Sequence, residues 1–187
     1  MRLKKDEEKI LVKTPVFDVV EKSYENMDFK PVGLNCKNWV MVIARDTSEK
    51  DPVCVFVKQT RWGCEHSTIE FPCGTAEEGE DLPEVAAREF EEETGIKVVP
   101  TSLKLVARFN PNPAYFNNEM FIYVYTDKNL LLKFNEKGNQ RLDETEDCEV
   151  FVSRLSNQRT LLSKHAMGLI ASNLAEGEIK ECGIYER

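Results

Sequence analysis

Between Asp81 and Gly95 the chain specifies a helix with both ends marked and a charge pattern that water alone does not explain. Asp81 with Glu84 forms a capping-box-like start, Pro83 falls in the first turn where its missing N–H does no harm, and Gly95 is placed for the C-terminal cap. The predicted helix runs from about Leu82 to Thr94. Advancing about 100° per residue from Glu89 puts Leu82, Val85, Ala86 and Phe90 on the core-facing side, with Glu92 at about −60° and Glu93 at about 40°. Glu89, Glu92 and Glu93 thus share the face whose first two turns are apolar, while Glu84 and Glu91 point to solvent. A solvated charge run accounts for Glu84 and Glu91. It accounts poorly for the other three, because like charges at i, i+3 and i+4 repel, and partial burial raises each close pair to roughly 4 kcal/mol at an effective dielectric of 20. Something positive belongs there. Arg88, about 100° away around the helix, can pair with one carboxylate. Hard divalent cations such as Mg2+ or Mn2+ are the natural partners of a cluster that also leaves ligand positions open for phosphate oxygens.

Around this helix lie strand-like segments rich in Val, Ile, Phe and Tyr: Leu11–Val20, Trp39–Ala44, Val53–Gln59, Ile69–Phe71, Leu103–Phe109, Met120–Thr126 and Glu149–Leu155. A second helix is predicted from the stripe Leu162, Ala166, Leu169, Ile170 and Leu174 before Gly177, read as packing surface, with His165 off the stripe. No repeat, low-complexity run or linker divides the sequence. Residues 1–187 are therefore expected to form a single domain with its core over about 10–177.

Thirty-three acidic against 25 basic side chains give a net charge of −8, which repels bare polyanions and argues against nucleic-acid binding. A small phosphate-bearing ligand is still admissible if divalent cations stand between it and the protein. No stretch approaches the ~20 apolar residues of a membrane span, and the amino terminus lacks the apolar core of a signal peptide; no membrane contact and a cytoplasmic location are the expectations. The six cysteines, Cys36, Cys54, Cys64, Cys73, Cys148 and Cys182, contain no Cys-x-x-Cys pair and read as free thiols. Cys64, His66 and Cys73 approach a zinc pattern but lack a second ligand pair.

The segment Gly74–Ile96 matches the Nudix box, Gly-x5-Glu-x7-Arg-Glu-U-x-Glu-Glu-x-Gly-U with U apolar, at every specified position: Gly74, Glu80, Arg88, Glu89, Phe90, Glu92, Glu93, Gly95 and Ile96. The chain therefore resembles the Nudix hydrolase family. That resemblance implies an α/β (α+β) Nudix fold, a mixed β-sheet sandwiched between helices, and hydrolysis of a nucleoside diphosphate linked to another group. Gln59-Thr60-Arg61 and Glu70-Phe71-Pro72-Cys73-Gly74 further resemble the ADP-ribose and ADP-sugar pyrophosphatase branch. So do Pro111, 16 residues after Gly95, and the acidic run Asp143–Asp147. Thr60, Cys73 and Ala114 depart from that branch, which commonly has an aromatic residue, Ala and Gly there.

Residue by residue, the resemblance implies that Glu89, Glu93 and the Cys73 carbonyl bind divalent cations. Glu92 would complete or support that shell, and Glu146 would join from the acidic loop. Glu144 is the candidate base, with a helix glutamate as the alternative. Arg88 is expected to orient the box carboxylates, and Arg61, Glu70 and Pro111 to contact substrate, Arg61 being equally readable as a surface arginine. Phe17, Tyr24, Phe29, Trp62, Tyr115 and Phe116 are candidates for stacking on a nucleobase. The branch also implies a homodimer formed through the N-terminal strands, within about residues 10–35. The alternatives are a Nudix hydrolase for another nucleotide and a non-catalytic nucleotide-binding module.

Overall fold

A computed structural model describes residues 5–48, 52–61, 66–137 and 148–154. Three strands, β1 (Lys5–Lys13), β2 (Phe17–Tyr24) and β3 (Val32–Cys36), form an antiparallel sheet of their own. The second sheet has seven: β4 (Asn38–Asp46), β5 (Val53–Arg61), β6 (His66–Glu70), β7 (Cys73–Ala76), β8 (Lys104–Phe109), β9 (Met120–Thr126) and β10 (Cys148–Arg154). Its main path runs β10-β5-β4-β9-β8, and the β4–β9 pair is parallel while the rest are antiparallel. Among the described residues two α-helices accompany it, α1 (Leu82–Thr94) and α2 (Leu130–Lys137).

Alternation along the central strands explains why this sheet is buried on both faces. Val40, Val42 and Ala44 of β4, with Phe121, Tyr123 and Tyr125 of β9, pack with Val85, Ala86 and Phe90 of α1 and Leu130 and Phe134 of α2. Met41 and Ile43, with Met120, Ile122 and Val124, face the other way against Cys54, Phe56 and Phe71. Fully burying one such aliphatic or aromatic side chain is worth roughly 1.5–3 kcal/mol.

The feature that positions the site is a fork. β4 and β5 pair only at Arg45–Cys54 and Asp46–Val53 and then separate. Past that point β5 takes β6 as its partner and β4 takes β7, and Phe71-Pro72 links the two short strands across the gap. Phe71 is fully buried against Phe56, with ring centroids 5.0 Å apart, and the Pro72 carbonyl accepts from the Val42 N–H at 2.9 Å. Proline suits this crossing because it has no N–H of its own to satisfy. Glu70 and Cys73 are thereby fixed on either side of the fork.

The predicted helix Leu82–Thr94 is observed with those bounds. Several other expectations need correction. Leu11–Val20, predicted as one strand, is a hairpin that turns at Thr14–Val16 between β1 and β2. Its turn has no Gly or Asn; the Thr14 hydroxyl supplies the turn chemistry by accepting from the Val16 and Phe17 N–H groups. The strand predicted at Ile69–Phe71 ends at Glu70, because Phe71 leaves the ladder for the core. β3, β7 and α2 were not expected from the sequence; all are short, and β7 pairs with β4, about thirty residues away along the chain. The helix predicted around Leu162–Leu174, with His165, lies outside the described residues.

Candidate active site

α1 begins where Asp81 accepts from the Glu84 N–H at 3.3 Å and ends where Gly95 takes a left-handed conformation, φ 71°, with its N–H on the Glu91 carbonyl. It buries Val85, Ala86, Ala87, Phe90 and Thr94. Turning away from that face, exposure rises in the order Glu93, Glu89, Glu92. The Glu93 carboxylate reaches β7, where Oε2 accepts from the Cys73 N–H at 3.1 Å. Burial, reinforced by the Glu89 and Glu70 charges and opposed by the Cys73 N–H and Arg61, pushes the Glu93 pKa up to about 8. Glu89, with 18% of its side chain exposed, is also raised, first by burial and then by Glu92 and Glu80, against the pull of Arg88. Glu92 is 58% exposed.

Arg88 bridges its neighbours, with Nη2 at 2.8 Å from Glu89 Oε1 and Nη1 at 3.0 Å from Glu92 Oε2. Burial alone would lower its pKa, but the two carboxylates outweigh that and raise it. One guanidinium thus answers two carboxylates, and the more buried Glu93 depends on a backbone N–H. Among the described residues no three His, Cys, Asp or Glu side chains are already gathered at metal-holding spacing. The donor set still fits a hard divalent cation: the oxygens of Glu89 and Glu93 are partly desolvated, burial raises both pKa values, and a cation would favour the charged forms that burial opposes.

The glycine that opens the box has a steric reason. A Cβ on Gly74 would fall inside the Glu89 side chain, so the helix carboxylate can lie against β7 only if this residue has none. Glu80 accepts from the Glu77 N–H at 2.7 Å and closes the loop that contains Gly79, whose φ is +86°. Thr94 ties off the helix, donating to the Phe90 carbonyl at 2.5 Å and accepting from the Ile96 N–H at 3.2 Å, while Ile96 is buried.

On the other side of the fork the register of β5 and β6 puts Gln59, Arg61, Thr68 and Glu70 on one face. Arg61 pairs with Glu70 in fork-to-fork geometry, Nε to Oε1 at 2.9 Å and Nη2 to Oε2 at 2.6 Å, and this bond raises the Arg61 pKa. Thr68 Oγ1 donates to Glu70 Oε1 at 2.5 Å, and Gln59 Nε2 approaches Oε2 at 3.5 Å. The Cys73 thiol lies 3.9 Å from both Arg61 Nη2 and Glu70 Oε2; burial, followed by the Glu93 and Glu70 charges, pushes it up to about 12. It is therefore a neutral thiol near pH 7 and a poor nucleophile.

The structure brings Arg61, Glu70, Cys73, Arg88, Glu89, Glu92 and Glu93 to one fork. Pro111 is elsewhere, on the Asn110–Asn118 loop, which bonds β3 through Leu34 N–H to Tyr115 O at 2.7 Å and Cys36 N–H to Asn117 Oδ1 at 2.8 Å. Glu144, Glu146, Trp62, Cys64 and the His66 side chain lie outside the described residues, as do the acidic loop and the zinc pattern they would form. Thr68 was not singled out from the sequence, although its place two residues before Glu70 on a strand puts both on one face. No helix among the described residues is long and apolar enough to cross a membrane.

This chain is 36% identical over 107 residues to a methanol dehydrogenase activator of Bacillus methanolicus, covering 57% of this chain and 52% of that one, so it spans about half the relative's length. Over 166 residues it is 26% identical to an ADP-ribose pyrophosphatase of Bacillus subtilis (strain 168), covering 86% of this chain and 85% of that one. In fold it is similar to a crystal structure of an ADP compounds hydrolase, with a TM-score of 0.70 and 21% identity over 98% of this chain and 97% of that chain. A profile of the NUDIX domain matches residues 37–166, more than half of the sequence and both sides of the fork. The chain belongs to the Nudix family.

Proposed function

We propose that this single-domain enzyme hydrolyses the pyrophosphate bond of ADP-ribose or a related ADP-sugar, giving AMP and a sugar phosphate, with Mg2+ or Mn2+ as cofactor. The observation that supports it best is the pairing, across one fork, of under-neutralised carboxylates on α1 with the matched Arg61–Glu70 pair on β5 and β6. The likeness to an ADP-ribose pyrophosphatase supports the choice of substrate. Glu89, Glu93 and the Cys73 carbonyl would hold the cations, with Glu92 supporting them from its exposed position. Divalent cations bound there would neutralise phosphate charge and bring the pKa of water toward neutrality. Arg88 holds Glu89 and Glu92 in orientation, and Arg61 offers a guanidinium to a phosphate or ribose oxygen.

From the resemblance alone, Glu146 adds a ligand and Glu144 takes the proton of the attacking water. Pro111 shapes the far end of the substrate site. The protein is read as cytoplasmic and as a homodimer, which the exposed Ile10, Leu11, Val12 and Val16 on the β1–β2 hairpin support.

Mass spectrometry of products formed with Mg2+ from ADP-ribose, ADP-sugars, other nucleotide sugars, dinucleoside polyphosphates and nucleoside triphosphates tests this. AMP and ribose 5-phosphate, abolished by a chelator, are expected. Cleavage of a different member would keep the chemistry and replace the substrate, and nucleotide binding without any product would favour the binding-module reading.

A further inference from the structure

We propose that Thr68 is a positioning residue that sets the orientation of the Arg61 guanidinium through Glu70. The proposal rests on the reading of Arg61 as a substrate-binding side chain. Thr68 is buried on β6 opposite Gln59. Its hydroxyl has one proton and two acceptors within reach, Glu70 Oε1 at 2.5 Å and the Gln59 carbonyl at 3.5 Å; the shorter, charge-assisted bond takes it.

Glu70 Oε1 therefore accepts from both Thr68 and Arg61 Nε, while Oε2 accepts from Arg61 Nη2, with the Gln59 amide at 3.5 Å. Only 12% of the Glu70 side chain is exposed, so these donors, more than water, set the plane of its carboxylate. A bidentate pair is planar, and the carboxylate plane dictates the plane of the guanidinium opposite. The Arg61 side chain is 44% exposed, and its Nη2 lies 3.9 Å from Sγ of Cys73, the residue whose N–H holds Glu93. Valine would serve a buried strand position equally well by shape and β-propensity. What threonine adds is the hydroxyl, and the hydroxyl acts on Glu70.

The test compares Thr68→Val and Thr68→Ser in the full chain. With Mg2+ and ADP-ribose, Thr68→Val should raise KM about tenfold, the typical worth of a hydrogen bond to a charged group, with kcat within about twofold. Thr68→Ser should restore KM, and Thr68→Val should add nothing in an Arg61→Ala background. An independent readout is the 15N-detected Nε–H resonance of Arg61, which should shift and exchange faster with water in Thr68→Val and be retained in Thr68→Ser. An unchanged Arg61 resonance in Thr68→Val, or a KM rise of equal size in the Arg61→Ala background, would overturn the proposal. Absence of turnover by the wild-type enzyme would instead overturn the substrate reading, with the resonance still deciding whether Thr68 orders Arg61.

Discussion

On the β5–β6 side of the fork Glu70 is met by Arg61, Thr68 and Gln59, so its charge is matched before any ligand arrives. Across the fork, Glu89 shares Arg88 with Glu92, and Glu93 is held by one backbone N–H while burial raises its pKa. The two sides differ in what they can accept. A satisfied ion pair offers direction to a ligand, whereas an under-neutralised carboxylate pair attracts positive charge, and a phosphate substrate needs both.

The largest difference should appear on removing charge from the α1 side. Glu93→Gln should keep the fold and lower Mg2+-dependent turnover by about 100-fold or more, since metal assistance contributes several kcal/mol to such reactions. Steady-state rates with saturating Mg2+ check this, and wild-type turnover would remove Glu93 from the metal shell. Next in size is Gly74→Ala, where the added methyl must displace Glu89 or the helix, at a cost of about 1–3 kcal/mol by chemical denaturation. A stability unchanged within error would show that Glu89 moves aside freely.

An effect of comparable size is pH-dependent. The folded-state pKa of Glu93 lies near 8, above the ordinary carboxylate value of 4.5, so the fold prefers the protonated form. Its contribution to stability is fully present below pH 4.5 and is lost as pH rises through 8. Without divalent cations the melting temperature should therefore fall between pH 5 and 8 by more in the wild type than in Glu93→Gln, by on the order of 10 °C. Added Mg2+ should flatten the difference. Equal slopes in calorimetry of the two proteins would contradict the buried, raised carboxylate. The smallest effect belongs to the helix start, where Asp81→Ala should cost about 1 kcal/mol of stability with little change in turnover.

How far the sequence discloses all this depends on the range of the signal. α1 was legible to its ends because Asp81, Pro83 and Gly95 act on their own backbone neighbourhood. The carboxylate face was legible because helical periodicity is rigid, although the observed burial centres closer to Phe90 and leaves Glu92 well exposed. The fork was not legible. It depends on where β4 and β5 stop pairing, a non-local choice, and β7 is only four residues long. The Arg61–Glu70 pair likewise needs the β5–β6 register before nine residues of separation become a contact. Pro111 could be matched by spacing to the branch, yet its loop is tied to β3 by tertiary hydrogen bonds that no local pattern encodes.

The most direct test of the central claim is Mn2+ binding followed by electron paramagnetic resonance, comparing the wild type, Glu93→Gln and Glu70→Gln at pH 7.5. If the α1 side is the one that requires a cation, Glu93→Gln should weaken binding at least tenfold and Glu70→Gln by less than about threefold. Equal weakening by the two variants, or undiminished Mn2+ binding in Glu93→Gln, would contradict the division of the site into a cation-seeking side and a self-satisfied one.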